Sequence, residues 1–489
     1  MDSVIKFGTD GWRGVIAEDF TFDNVRLCAQ AVAEYLKETG LSRRGLVIGY
    51  DTRFASEDFA AAAAEVAAGN GIKTYLCPHA TPTPTVSFGA VARKTGGAII
   101  ITASHNPAGW NGFKFKTEAG SSASTEATAR IENLTRHLKP ENIKRLPLGD
   151  ALKQNLIEYL DLAPAYLEKL AKMVDLEAIR RSRLKIVVDP MHGAGAGYFK
   201  RLLGDSALEI IEINSERNPL FPGMKQPEPI AVNLVRLADT VTREKASVGL
   251  ATDGDADRIG IVDEAGVFIS TLHVFALLCL YMLEVRGERG PIVKTITMTS
   301  MLYRLGELFK VPIYETAVGF KYVAPEMIAK KALLGGEESG GYGFKNHIPE
   351  RDGILAGLYF LDLMVKTGKS PAQLVAYLHQ KVGPHHYQRA DLRFSEGERA
   401  VIEDRVRQFA PEMIDSQRLV STDTTDGFRF VLADSSWLLI RFSQTEPLLR
   451  LYAESGTPER VERLLGLAQE LVKTSTGGEF CTILPMPLT

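Results

Sequence analysis

Cysteine is scarce in this chain: four in 489 residues, far apart at Cys28, Cys77, Cys279 and Cys481. That excludes a disulfide framework, gives no metal-binding spacing, and predicts free thiols in a reducing compartment. Long apolar runs are also missing. The longest, around Val274 to Met282, is too short to span a bilayer. The opening residues Met-Asp-Ser-Val-Ile-Lys lack the basic stretch and apolar core of a signal peptide, so none is expected. Neither sign of charge dominates. The net charge of −3 argues against a broad nucleic-acid surface but leaves room for a local basic cleft for anions. Low-complexity segments and long linkers are absent. Together these absences predict a cytoplasmic protein with no membrane or nucleic-acid partner.

A hydrophobic fraction of 45% is ample for several cores, and the length suggests about three or four domains. Short β-branched runs alternate with helical patterns, as in parallel α/β layers. Three strand-then-loop openings recur at Gly45–Arg53, Leu184–Gly193 and Gly290–Ser300, each followed by an amphipathic stretch. They hint at three similar units. A helical stretch from Ala151 to Val174 suggests a boundary near residue 150, and the end of the run Ile259–Val262 suggests another. After Gly383-Pro-His-His386 the pattern becomes hairpin-like over Gly427–Leu432, Trp437–Phe442 and Leu448–Ala453, followed by a helix from Pro458 to Lys473. The expected units are 1–150, 151–262, 263–382 and 383–489, the last a small α+β fold.

Four loops carry candidate chemistry. Ala98–Thr102 reads as a buried strand, and Ser104 lies beyond its carboxyl end, where open α/β sheets bind ligands. Asn111-Gly-Phe-Lys114 follows, a turn whose lysine can fold back toward the serine. A plain Ser/Asn/Pro turn would carry the same residues. His105 is a poor base for Ser104 if the loop is extended, because adjacent side chains then point apart. In Asp253-Gly-Asp-Ala-Asp257, alternate residues of an extended loop would bring three carboxylates together. A cation between them relieves their repulsion, and all-oxygen ligation suits Mg²⁺ or Ca²⁺. An EF-hand fails because Arg258 stands where glycine is needed and the flanks read as strands. A solvated acidic turn is the plain alternative.

The third loop, Gly335–Gly343, is glycine-rich, and its Glu337 and Ser339 can accept hydrogen bonds from vicinal hydroxyls. A flexible glycine loop would look the same. Val318-Gly-Phe-Lys321 adds a lysine after a turn. In the fourth, Arg441-Phe-Ser-Gln-Thr-Glu-Pro447, the arginine can take a phosphate bidentately, while Ser443 and Thr445 donate further bonds. Phe7–Gly14 is a softer element whose Arg13 can face an anion.

These motifs, in this order, resemble the α-D-phosphohexomutase superfamily of phosphoglucomutases, phosphomannomutases and phosphoglucosamine mutases. The resemblance implies four domains around a central cleft: three similar mixed-sheet α/β domains and a C-terminal α+β domain that binds phosphate. It implies that Ser104, as phosphoserine, donates the phosphoryl group. Mg²⁺ would be held by Asp253, Asp255 and Asp257 with an oxygen on Ser104. Arg13, Lys114 and Arg258 would surround the transferring group, with Lys114 a candidate acid/base. Glu337, Ser339 and Lys321 would serve the sugar, and Arg441, Ser443, Gln444 and Thr445 the non-reacting phosphate. The implied partner is a hexose phosphate, with a hexose 1,6-bisphosphate as activator, in a monomer or dimer. Some members using both glucose and mannose carry histidine where Gly341 stands, which leaves Lys321 or His347 for the second acid/base. Phosphoglucosamine mutases usually carry glutamine where Glu338 stands. Glucose phosphate is therefore the expected substrate, with mannose phosphate next. The remaining alternatives are a metal-dependent phosphatase using phosphoserine and a non-catalytic sugar-phosphate sensor.

Overall fold

The computed structural model describes residues 5–8, 10–204, 207–443 and 448–473. Among these, the strands form four sheets. In the first, the strand Leu46–Tyr50 lies between Thr74–Leu76 and Gly97–Ile101, parallel to both, and Gly97–Ile101 turns back into the antiparallel Trp110–Thr117. The second sheet repeats this plan with Lys185–Asp189, Glu209–Glu212, Val248–Thr252 and the antiparallel Ile259–Val262. The third repeats it again with Ile292–Thr295, Ile313–Thr316, Leu334–Gly336 and Tyr342–Phe344. The three-unit reading therefore holds at the level of topology.

The central strands Leu46–Tyr50, Gly97–Ile101, Val248–Thr252 and Ile292–Thr295 are buried at every position, as sheets covered on both faces require. The sheets run past the expected boundaries. Ile157–Tyr159 adds a parallel strand beside Thr74–Leu76, and Phe268–Ile269 pairs with Ile259–Val262. The helix expected over Ala151–Val174 is two helices, Leu148–Lys153 and Ala163–Ala171, flanking that added strand. Left-handed Asn155 lies just past the first helix, and Pro164 opens the second.

The fourth sheet is antiparallel throughout, in the order His386–Arg393, Leu448–Ser455, Trp437–Phe442, Phe428–Leu432, Gln417–Asp423 and Met413–Ile414. The helix Pro458–Val472 packs its buried Val461, Leu464 and Ala468 into the same apolar cluster as Leu438 and Leu451. No helix among the described residues is long and apolar enough to cross a membrane.

One apolar cluster runs through the second and third units, from Ile186 and Ile259 to Phe275, Tyr342 and Leu358. Beside it, Asp352 caps the helix Gly353–Thr367 by accepting from the Leu355 amide at 2.8 Å. The same buried carboxylate accepts from the Tyr166 hydroxyl of the second unit at 2.8 and 2.9 Å and pairs with His347 Nε2 at 2.8 Å. Truncation would leave those groups without their shared acceptor. Asp352→Ala is expected to lower unfolding stability by about 3–5 kcal/mol, read as a lower urea midpoint. An unchanged midpoint would show that the capping network is dispensable.

Candidate active site

Each chemical loop of the first three units occupies the same place: the turn from the third, parallel strand into its antiparallel neighbour. Ser104 follows Gly97–Ile101, the aspartates follow Val248–Thr252, and Glu337 follows Leu334–Gly336. Equivalent hairpin turns thus carry all three loops.

Ser104 Oγ donates to Asp253 Oδ2 at 2.8 Å across 149 residues of chain. Its backbone is left-handed, with φ of 53°, so the loop is not extended at this point. The Ser104 amide donates to Thr102 Oγ1 at 2.8 Å. The left-handed turn also corrects the expectation for His105, whose Nδ1 comes within 3.4 Å of Ser104 Oγ. Burial, with Arg258, Arg13, Lys114 and Arg53 nearby, pushes His105 well below the ordinary histidine range. It is held neutral, and the contact is long for a hydrogen bond.

The aspartates converge as expected, but through a turn. Ala256 is left-handed, with φ of 56°, and Asp253 Oδ1 accepts the amides of Asp257 and Arg258 at 3.0 and 3.1 Å. One oxygen from each of Asp253, Asp255 and Asp257 lies within 4.8 Å of the others. Asp255 Oδ1 and Asp257 Oδ1 are buried without a hydrogen-bond partner. Burial and the two neighbouring carboxylates push Asp253 well above the ordinary aspartate range. A hard cation with oxygen ligands fits this donor set, since it would take the orphaned oxygens and remove the repulsion. Gly254 lets the loops meet, because a Cβ there would lie 2.5 Å from the Ser104 carbonyl oxygen. Thr83 of the first unit adds two bonds, its amide to the Asp255 carbonyl at 2.9 Å and its hydroxyl to Oδ2 at 2.5 Å.

Lys114 lies within the strand Trp110–Thr117, not after a turn. Its Nζ is 2.8 Å from Asp10 Oδ2, 2.8 Å from Asp255 Oδ2 and 3.5 Å from Asp257 Oδ2. Burial pushes it down, but the three carboxylates outweigh burial and raise it. It is therefore held as an ammonium, the form that neutralises charge. Arg13 donates to Asn106 Oδ1 in the serine loop. Arg258 Nη1 donates to Glu228 at 3.2 Å, while its Nε lies 3.9 Å from both Asp253 and Asp257.

In the third loop, buried Glu337 faces Arg351 Nη1 at 3.4 Å, and half-buried Ser339 stands on the turn beside it. Glu338 turns away: its Oε1 accepts from Tyr387 of the fourth unit at 3.0 Å. Lys321 is half-exposed in the helix Phe320–Lys330. His347 is corrected outright as a second acid/base, because its side chain is fully buried on Asp352 beside the Phe88 and Tyr166 rings. Arg441 closes the strand Trp437–Phe442 with its Nε 3.0 Å from Asp426 Oδ2. The same oxygen accepts from the Val318 amide at 3.0 Å, joining the fourth unit to the third. Ser443 is buried; Gln444 and Thr445 lie outside the described residues.

Arg351 is the residue that sequence reasoning missed. Its Nη2 is 2.6 Å from Asp10 and 2.7 Å from Asp257, so with Glu337 it joins loops of three units. A Cβ at Gly341 would lie 2.3 Å from Arg351 Cδ. Glycine at 341 therefore makes room for the arginine, and that pairing is the signal the sequence held. Asp10 was also missed; Lys114, Lys116 and Arg351 hold it well below the ordinary range against the upward push of burial.

Four family models match in order. Phosphoglucomutase/phosphomannomutase alpha/beta/alpha domains I, II and III match residues 4–142, 164–266 and 272–382, and the C-terminal domain matches 392–468. The chain belongs to the α-D-phosphohexomutase superfamily. A Thermococcus kodakarensis phosphoglucomutase/phosphomannomutase is 30% identical over 96% of this chain and 99% of its own. A Pyrococcus abyssi protein named "Probable phosphoglucosamine mutase" is 30% identical over 96% and 97%. Among solved structures, a Thermus thermophilus "putative phosphomannomutase" superposes with a TM-score of 0.84 at 35% identity, covering 97% of this chain and all of that one.

As a member of this family the protein is a phosphohexomutase, an enzyme of a metal-dependent fold with the carboxylate trio in place. Asp255→Asn removes one charge from that trio and is expected to weaken Mg²⁺ binding by at least about tenfold, measured by calorimetry on the resting enzyme. Unchanged affinity would make the loop structural.

Proposed function

We propose that this mutase interconverts glucose 1-phosphate and glucose 6-phosphate, through phosphoserine at Ser104 and a hexose 1,6-bisphosphate. The observation that carries the reading is the serine hydroxyl held 2.8 Å from Asp253, at the edge of a buried carboxylate trio. The phosphoryl–Oγ bond breaks as a bond to the free sugar hydroxyl forms, and the proton lost by that hydroxyl is balanced by the one Ser104 Oγ gains. The bisphosphate then turns end for end and returns its other phosphoryl to Ser104. Phosphate esters resist hydrolysis strongly, so positioning and charge neutralisation carry the catalysis.

Mg²⁺ held by Asp253, Asp255 and Asp257, with an oxygen of phosphoserine, would supply positive charge at the phosphoryl oxygens. Arg13, Lys114 and Arg258 surround that position from separate strands and loops. Glu337 and Ser339 read sugar hydroxyls, and Lys321 serves the same sugar. Arg441 and Ser443, with Gln444 and Thr445, take the non-reacting phosphate, and the same site accepts hexose 1,6-bisphosphate as activator.

The choice of glucose rests on Gly341, Glu338 and Lys321. Its weakest member is Glu338, which meets Tyr387 rather than the sugar side of the loop. Mannose 1-phosphate is the second reading and glucosamine 1-phosphate the third, since relatives carry each name.

Ser104→Ala is expected to abolish turnover with the fold intact; near-normal isomerisation would refute the donor assignment, and steady phosphate release without isomerised sugar would make the enzyme a phosphatase. A kcat/KM comparison of glucose, mannose and glucosamine 1-phosphates with catalytic 1,6-bisphosphate should rank glucose first. Glucosamine ranking first would overturn the sugar assignment while leaving the mutase chemistry in place.

A further inference from the structure

Arg53 lies in none of the loops that touch substrate, yet its side chain is fully buried directly behind one. Its guanidinium collects four main-chain carbonyls of the serine loop. Nη2 donates to the carbonyls of Ser104 at 2.7 Å and Asn106 at 2.5 Å, and Nη1 to those of Pro107 at 2.8 Å and Trp110 at 3.0 Å. Asp51 lies 3.2 Å from its Nε and balances the charge.

Asp51 also reaches the serine. Its Oδ2 accepts from the Thr102 hydroxyl at 2.6 Å, and that hydroxyl accepts the Ser104 amide at 2.8 Å. Ser104 is thus gripped at both ends of its own backbone, through its carbonyl by Arg53 and through its amide by Asp51 via Thr102. The second unit closes the back of the grip. Phe221 packs its ring 5.0 Å from the guanidinium, and Arg217 donates to the carbonyls of Thr52 and Arg53 at 3.1 and 3.2 Å.

Resting on the phosphoserine reading, we propose that the Asp51–Arg53 pair is a positioning clamp for phosphoryl transfer. It holds Ser104 in the left-handed conformation that aims Oγ at Asp253. It also draws into one buried cation four carbonyl dipoles that would otherwise be free to repel phosphoryl oxygens. Neither residue touches the reacting atoms. Lysine cannot replace the arginine, because an ammonium is a point charge with three donors and no rigid planar fork to span four carbonyls.

The test compares wild type, Arg53→Lys and Thr102→Val, the last cutting the other arm of the clamp at nearly constant volume. Each enzyme is charged with glucose 1,6-bisphosphate. Phosphoryl occupancy of Ser104 is followed by intact mass and peptide mapping, alongside kcat, KM and the thermal midpoint. Arg53→Lys should lower kcat about a hundredfold, leave KM for the hexose phosphate within about twofold because uniform binding is untouched, and shorten the lifetime of the phosphoenzyme in water. Thr102→Val should move kcat and lifetime in the same direction, and it carries the test alone if Arg53→Lys does not fold. Wild type labelled at Ser104, with kcat and lifetime unchanged in the folded variants, would overturn the clamp but not the phosphoserine. Wild type that takes no phosphoryl at Ser104 would overturn both. Loss of the thermal midpoint with KM and kcat changing together would make the pair a structural element only.

Discussion

Buried negative charge at the junction of three units is the constraint on which the rest of this structure depends. Asp10, Asp253, Asp255, Asp257, Glu337 and Glu350 are withdrawn from water within one interconnected network. Isolated carboxylates cannot stay ionised there. The chain answers with cations from separate places: Lys114 and Lys116 from one strand, Arg258 from the metal-type loop, Arg351 from the segment after the third hairpin. Because Lys114–Asp255, Lys116–Glu350 and Arg351–Asp257 cross between units, neutralising charge and assembling the cleft are coupled. Two oxygens of the trio accept no hydrogen bond even after these pairings, and that unmet charge fits a hard cation.

The repeated topology explains why these groups can meet. A hairpin from a parallel central strand to an antiparallel neighbour is a cheap way to place a short turn at one edge of a buried sheet. Used three times, it delivers Ser104, a carboxylate trio and the Glu337 loop, each at the end of a buried strand. The fourth unit differs in kind. It is antiparallel throughout and meets the third unit through Arg429 on Glu315, Glu454 on Ser300, Asp426 on the Val318 amide, Tyr387 on Glu338, and an apolar cluster of Trp437, Leu439 and Tyr452 with Ile296. The second and third units share one apolar core, which fixes those two together.

Much of this was legible in the sequence wherever a residue type has few other uses. Three alternating aspartates ending a β-branched run, a serine beyond a strand of isoleucines, and a glycine-rich turn with Glu337 each announce a loop. What misled was the assumption that such loops are extended. Left-handed Ser104 and Ala256 make the aspartates converge by turning and bring His105 closer to its neighbour than alternation allows. A single residue's φ is a tertiary outcome, because the contacts that hold it lie far away in sequence. Ile157–Tyr159 and Phe268–Ile269 escape a reading of pattern for a related reason: they are short edge strands, and only their partners identify them.

Arg351 and Arg53 were illegible for a more general reason. In sequence, no motif marks Arg351, and Arg53 merely ends the strand-then-loop opening Gly45–Arg53. Nothing local separates a solvated arginine from one that organises a site, since both satisfy the same rules of pattern and propensity. The distinguishing information lies in the small residues opposite. Gly341 leaves the volume that Arg351 fills, and Gly254 allows the approach that puts Ser104 on Asp253. A glycine in a functional loop therefore points to its occupant as well as to a turn. Glu338, by contrast, faces Tyr387 of the fourth unit, so a substitution there would act first on the contact between the third and fourth units.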